Sequence, residues 1–152
     1  MDKVEQFKQL QEEMKGHGLI VIYDPLIAYI HGISIAAVRE DGIILLASGF
    51  FNFDYEVQRF ILYHELGHFT LGHHKQNKVR DYFNRLHKKL TGWSKIELAA
   101  DLYAIKVLGA NVGVQALSDT IAYLQQKYDG VNYTELNKRL EQAKCEDFKS
   151  RI

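Results

Sequence analysis

The sequence predicts an α+β fold in which a small N-terminal antiparallel sheet precedes a mostly helical remainder. Two observations indicate this order. Strand-like apolar runs are confined to residues 19–47, whereas residues 54–143 repeat apolar side chains every three or four positions. The length of 152 residues suits a single domain, assigned to 1–152. An apolar fraction of 47% and a charged fraction of 25% are ordinary for a globular chain and exclude a wholly disordered one.

The first third is predicted to contain one helix and three strands. Residues 2–15 have an amphipathic helical pattern that ends at two glycines. Three apolar segments that follow have the character of strands; they cover residues 19–23, 29–38 and 43–47. The dipeptide Asp24-Pro25 is expected to close the first strand, and Asp41-Gly42 is a hairpin signal between the last two.

Five helices are predicted after the sheet. Asp54 is expected to cap the first of them and Ser94 the third. Glycines and the spacing of apolar residues set most of the other boundaries. The five helices cover residues 54–72, 78–90, 95–108 and 117–128, and a segment from 134 through 143.

The first of these helices contains an HExxH motif, His64-Glu65-Leu66-Gly67-His68. Four residues turn an α-helix by about 400° and advance it about 6 Å, so His64 and His68 face the same way and can bind one ion. Glu65 is placed to accept a proton from an attacking water and pass it to a leaving amine. The residues on either side of the motif are apolar, so Glu65 is expected to lie on a mostly buried helix. A buried carboxylate needs a partner or a function. The motif therefore predicts a Zn²⁺ site.

A catalytic zinc needs three protein ligands and one open position. Five residues near the motif or on the next helices can supply the third ligand: His73, His74, His87, Glu97 and Asp101. We assign Glu97, because it and Asp101 lie four residues apart on a helix whose other side chains are mostly small or apolar. Two carboxylates in such surroundings are costly without a cation. Asp101, one turn further on, is expected to accept the free ring N–H of a ligating histidine.

Two segments, HELGHFTLGHH and ELAADLYAIKVL, resemble the ImmA/IrrE family of metallopeptidases. That family combines HExxH on one helix with an E-x-x-A-(D/N)-x-(F/Y)-A stretch on the next. The resemblance covers roughly residues 19–108. A second acidic residue is common in the family where this chain has Ala99.

The resemblance implies a zincin-like metallopeptidase core. In this chain the family's zinc ligands fall on His64, His68 and Glu97, its base on Glu65, and its histidine-supporting carboxylate on Asp101. Characterised members in bacteria and their mobile elements cleave or inactivate helix-turn-helix repressors. A transcriptional repressor is therefore the implied protein substrate, and anti-repressor activity the implied function.

Two classes of function remain open at this point. The first is a zinc-dependent endopeptidase that acts on a protein substrate; the alternative is a non-proteolytic zinc-binding module that regulates a repressor or another partner by binding it. The intact Glu65 favours chemistry, because a structural site has no need of that carboxylate. A structural zinc also more often has four protein ligands, frequently cysteines, and the single cysteine here is Cys145.

Charge and hydropathy restrict the partners. Nineteen basic and nineteen acidic residues give no support for a general affinity for nucleic acid or anionic membranes. Residues 75–95 are the exception, with seven basic residues and one acidic residue. This segment is either a solvated helix face or a docking element for an acidic partner surface or for a repressor on DNA, and direct reading of nucleic acid is not expected. Without a membrane-spanning run or a signal-peptide core, a cytoplasmic location is expected.

Overall fold

A computed structural model of the chain describes residues 2–73, 75, 78–92 and 94–152. The helices in this part of the chain are α1 (Lys3–Lys15), α2 (Pro25–Ile30), α3 (Tyr55–Thr70), α4 (Lys78–Thr91), α5 (Lys95–Leu108), α6 (Ala110–Lys127) and α7 (Thr134–Ser150). The strands are β1 (Ile20–Tyr23), β2 (Ala36–Val38) and β3 (Ile43–Leu46), and a short 3-10 helix covers Ser48–Asn52. The α+β class predicted from the sequence is confirmed.

The sheet is mixed, which corrects the antiparallel sheet predicted from the sequence. Its strand order is β1-β3-β2, with β3 antiparallel to β2 and parallel to β1. The hairpin signal at Asp41-Gly42 is confirmed, because β2 and β3 pair on either side of it and Gly42 has a φ of 83°. Parallel pairing needs a connection longer than a hairpin, and α2 together with β2 supplies it between β1 and β3.

The strand predicted over residues 29–38 is wrong in its first part. The Asp24 side chain accepts a hydrogen bond from the Ile27 N–H at 3.1 Å, and Pro25 occupies the first turn of α2. Asp24-Pro25 is therefore a helix start as well as a strand end. Only Ala36–Val38 forms the strand.

The predicted later helices are present, with two large differences in boundary. α7 continues to Ser150 rather than ending near residue 143. α6 begins at Ala110 rather than at 117, directly after Gly109, whose φ is 98°. Its first turns bury the small residues Ala110 and Gly113 instead of large apolar ones, so they lack the periodic pattern that indicates an amphipathic helix. Among the described residues, no helix combines the length and the apolar character needed to cross a bilayer.

The HExxH helix α3 lies at the centre of the molecule. It packs against β2 and against α1, α5 and α6, and most of its length is buried. The core around it is built from apolar side chains of α1, the sheet, the 3-10 helix and α3 itself: Leu10, Met14, Leu19, Val21, Ile44, Leu46, Phe50, Val57, Phe60, Leu62 and Leu66. Because burying each large apolar side chain stabilises the fold by about 1.5–3 kcal/mol, α3 is a firmly held platform for polar residues.

Candidate metal centre

α3 and α5 approach each other closely at Gly67. A methyl group on Gly67 would lie 3.0 Å from the Tyr103 Cβ and 3.2 Å from the Ala100 Cα. Ala100 and Ala104 are fully buried on α5. Small residues on both helices therefore allow a short separation, which brings Glu97, one turn before Ala100, opposite the two histidines of α3.

Gly67→Ala is expected to displace α5 from α3 and weaken metal binding. Overpacking of this kind costs about 1–3 kcal/mol, against the ~1 kcal/mol that alanine gains in helix propensity. Gly113→Ala is a matched control, because its methyl would lie 2.8 Å from the Ile105 Cγ1, two turns further along α5 than Glu97. Thermal unfolding and a metal-competition titration measure the two effects. We expect both variants to lose stability and only Gly67→Ala to lose metal affinity; equal metal affinity in the two would contradict the prediction.

Three side chains bring ligand atoms together between α3 and α5. Nε2 of His64 lies 3.0 Å from Nε2 of His68 and 3.0 Å from Oε2 of Glu97. Nε2 of His68 lies 3.4 Å from Oε1 of Glu97. Ligand atoms on one tetrahedral ion, with bonds of about 2.0–2.1 Å, are about 3.3 Å apart. His64, His68 and Glu97 thus form a cluster that can hold a metal ion.

His64 is oriented by a buried carboxylate. Oδ1 of Asp101 lies 2.8 Å from Nδ1 of His64, and Arg139 on α7 donates to both oxygens of Asp101, from Nε at 2.6 Å and from Nη2 at 2.9 Å. With its proton on Nδ1, a neutral His64 ring presents the Nε2 lone pair to its neighbours. Facing acceptor atoms repel one another unless a positive charge lies between them, so this arrangement fits a metal ion.

His68 has a different partner. Its Nδ1 lies 3.0 Å from Nδ1 of His73, just beyond the end of α3. Burial, followed by the neighbouring His68 and Arg80, lowers the pKa of His73 to about 4, so His73 is neutral near pH 7. Neither His73 nor His87 belongs to the three-ligand group found among the described residues. The remaining sequence candidate, His74, lies outside the described residues.

The charges of the site favour a divalent cation. The site contains three carboxyl groups, of Glu65, Glu97 and Asp101, and one guanidinium, of Arg139, which pairs with Asp101 and Glu97. With all three carboxyl groups ionised and the imidazoles neutral, these formal charges sum to −2. Burial disfavours a charged His64 ring, but hydrogen bonds to Asp101 and Glu97 outweigh it and raise the pKa of His64 to about 10. Burial likewise opposes ionisation of Glu97, yet the histidines keep the pKa of Glu97 below its usual value. The site attracts positive charge, either as a proton or as a metal ion.

Glu65 lies beside the ligand group without belonging to it. It is 8% exposed, and burial raises the pKa of its carboxyl. Its Oε2 accepts a hydrogen bond of 3.1 Å from the Val38 N–H of β2. This hydrogen bond holds the Glu65 carboxyl group between the cluster of His64, His68 and Glu97 and the edge strand β2.

Two adjoining cavities lie along β2, next to the cluster of His64, His68 and Glu97. One, of about 360 Å³, is lined by Glu65, Arg139 and a set of apolar residues that includes Ile33, Ile35, Phe60, Ile61, Leu117 and Leu136. The other, of about 400 Å³, is lined by His68, His73 and Ile96. Ala36, Ala37, His64, Glu65 and Glu97 line both cavities. The cleft therefore extends to either side of the ligands along an edge strand.

Arg139 and the Val38 N–H belong to the site but were not predicted from the sequence. Arg139 lies between Lys138 and Leu140 in an ordinary amphipathic helix, and no motif distinguishes it from the other basic residues of that helix. The Val38 contact is made by the main chain, which leaves no trace in residue identity. Both contacts depend on the packing of distant segments.

Asp101→Asn is expected to weaken metal binding by about 10- to 100-fold, as is usual when the partner of a ligating histidine is lost. Asparagine keeps the shape and an acceptor, but it gives Arg139 a neutral partner and holds the His64 N–H less strongly. Asp147→Asn is a suitable control, because Asp147 also pairs with an arginine, Arg151, at the exposed end of α7. Titration with a competing chelator measures the affinities; an Asp101→Asn protein that binds as tightly as wild type would show that Asp101 has no role in orienting His64.

Comparison of the chain with protein-family models, with curated proteins and with solved structures found no match.

Proposed function

We propose that this chain is a zinc-dependent endopeptidase whose metal ligands are His64, His68 and Glu97. The observation that carries the proposal is the convergence of these three side chains beside Glu65 at the wall of a cleft. Two imidazole nitrogens and one carboxylate oxygen are a donor set typical of catalytic zinc, which keeps a fourth position open. When bound, zinc polarises a substrate carbonyl and makes water more acidic.

Glu65 is the proton carrier in this proposal. Its position next to His64 on α3, at the wall of the same cleft, supports this role, because a general base must lie within hydrogen-bond reach of the water that it deprotonates. Because the Val38 N–H occupies Oε2, Oε1 is the oxygen left to accept a proton from water and to return it to the leaving amine.

The edge of the sheet supports a peptide as the substrate. Arg39 donates its N–H to the Ile43 carbonyl, and Ile35 accepts from the Ala47 N–H, so these residues of the β2 segment face β3. Peptide groups alternate in direction along an antiparallel strand, so Ala36 and Val38 point theirs the other way, toward the cleft, where the Val38 N–H binds Glu65. An extended peptide can add to such an edge through main-chain hydrogen bonds, which selects polypeptides over small molecules.

The resemblance of HELGHFTLGHH and ELAADLYAIKVL to ImmA/IrrE metallopeptidases supports a more specific substrate. It favours a helix-turn-helix repressor of a bacterial or mobile-element system, cleaved in the cytoplasm, and a zincin-like core as the scaffold. The alternative is a module that only binds the repressor. The buried Glu65 at the cleft argues against that alternative, because binding alone gives no reason to retain a desolvated carboxylate.

Incubation with a repressor encoded beside the gene tests the proposal. We expect zinc-loaded protein to produce new termini at a defined site, detected by mass spectrometry, and a chelator to prevent their appearance. A repressor that binds stoichiometrically and stays intact in the presence of zinc would favour the non-proteolytic alternative.

A further inference from the structure

α4 presents its apolar side to solvent. Five large apolar side chains recur every three or four residues and so share one face of the helix. They are Val79, Tyr82, Phe83, Leu86 and Leu90, and each retains between 40% and 77% of its surface exposed. No residue of α4 is buried. A contiguous apolar stripe of this kind marks an interaction surface rather than an ordinary solvated helix.

Polar contacts on the opposite side of α4 fix this orientation. Nη1 of Arg80 donates to the Gly72 carbonyl at 2.8 Å. Oδ1 of Asn84 accepts from the Ser94 hydroxyl at 3.1 Å and lies 3.4 Å from the Ile96 nitrogen at the start of α5. The side of α4 that faces the molecule is therefore the polar one, and rotating the helix to bury its apolar stripe would break these hydrogen bonds.

The apolar stripe has positive charge along one edge. Lys78, Arg85 and Lys89 lie seven and four residues apart, which places them on one flank at 3.6 residues per turn, and all three are exposed. The other basic residues of α4 are engaged on the inner side: Arg80 binds main-chain carbonyls, and Lys88 pairs with Glu135 at 3.1 Å. The surface thus offers an apolar stripe with a single cationic edge.

We propose that the outer face of α4 binds an amphipathic helix of a partner protein that has one acidic edge. The apolar stripe of the partner packs on Phe83 and Leu86 at the middle of α4, and its carboxylates lie over Lys78, Arg85 and Lys89. A helix of 14 residues is about 21 Å long, enough for about four turns of contact. This binding is separate from the metal site and does not depend on catalysis.

Charge favours this occupant over a lipid surface or a second copy of the chain. Recruitment to anionic lipid usually needs a cluster of about four to eight cations, whereas three are available here, all on one edge. Pairing two copies through α4 would bring together two surfaces that each carry the cations Lys78, Arg85 and Lys89 along one edge. An amphipathic partner helix with an acidic edge covers the apolar stripe and pairs its carboxylates with the cationic edge at the same time.

Fluorescence anisotropy with a labelled synthetic peptide tests the proposal. The probe is an amphipathic helix with leucines on one face and glutamates along one edge, and its comparison peptide has lysines in place of the glutamates. We expect the acidic peptide to bind wild-type protein, with or without a chelator, and the basic peptide to bind at least tenfold more weakly. Leu86→Ser and Arg85→Glu should each weaken acidic-peptide binding by about tenfold or more.

The matched controls are on α1, where Val4→Ser removes an exposed apolar side chain and Lys8→Glu reverses an exposed charge. Both should leave binding unchanged. Equal binding of the two peptides, or of neither, would overturn the proposal. So would Leu86-dependent sedimentation with vesicles of phosphatidylserine and phosphatidylcholine, or a Leu86-dependent dimer in analytical ultracentrifugation, in place of peptide binding.

Discussion

His64→Ala is expected to lower the zinc affinity of the protein by more than ~100-fold. His64 supplies one of the three converging ligand atoms and is the ligand held by Asp101. Its removal leaves two ligands, a larger loss than the 10- to 100-fold typical when only an orienting partner is removed. Metal analysis of the purified protein gives the stoichiometry, expected to fall from one zinc per chain to nearly none, and chelator competition gives the affinity.

His68→Ala and Glu97→Ala should behave in the same way, because each also removes one of the three ligand atoms. His31→Ala is the matched control, since His31 is exposed at the end of α2 and outside the ligand group. Full retention of zinc by both histidine variants of α3 would contradict the site. A dispensable Glu97 together with an indispensable Asp101 would mean that the two carboxylates exchange roles.

The common direction of the two histidine ligands follows from local spacing, which a sequence encodes directly. His64 and His68 lie one helical turn apart, so their common direction requires only that α3 be a helix. The approach of Glu97 needs a second helix at close range, and Ala100 and Ala104 in its sequence indicate that such an approach is sterically allowed. The catalytic role of Glu65 and the identity of the metal remain predictions.

Contacts between segments that are distant in the sequence could not be predicted from the sequence. The segments that became β1, β2 and β3 are recognisable as apolar runs, but their composition does not determine whether β1 pairs with β2 or with β3. Likewise, the clamp of Arg139 on Asp101 joins residues 38 positions apart. Such contacts depend on how whole helices pack, which residue type and period do not specify.

α4 shows a different limit. Its apolar period predicted a helix over residues 78–90, which the structure confirms as Lys78–Thr91, and such a pattern usually means that the apolar side faces the core. Here the polar side faces inward instead, because Asn84 and Arg80 find main-chain and side-chain partners there. The period of the apolar residues predicts the helix and its apolar and polar faces. Which of the two faces is buried depends on the segments that pack against the helix.

Glu65→Gln is expected to reduce cleavage of a protein substrate by about 10²–10⁴-fold, the usual contribution of a positioned acid–base group, with little change in zinc content. Glutamine keeps the size of the side chain and an acceptor for the Val38 N–H, so the packing of α3 against β2 persists. What it removes is the group that can take up and release a proton. Substrate cleavage on gels, together with metal analysis of the same sample, separates the two effects.

Glu56→Gln is the matched control, because Glu56 lies in the first turn of the same helix and is exposed. It should cleave as wild type does. A pull-down with the same repressor completes the test, since Glu65→Gln should still bind the repressor when only the chemistry is lost. If Glu65→Gln relieves repression as effectively as wild type while it leaves the repressor intact, the protein acts by binding, and the endopeptidase proposal is wrong. The metal content of the variant decides whether that result concerns Glu65 itself, because zinc loss would remove cleavage for a different reason.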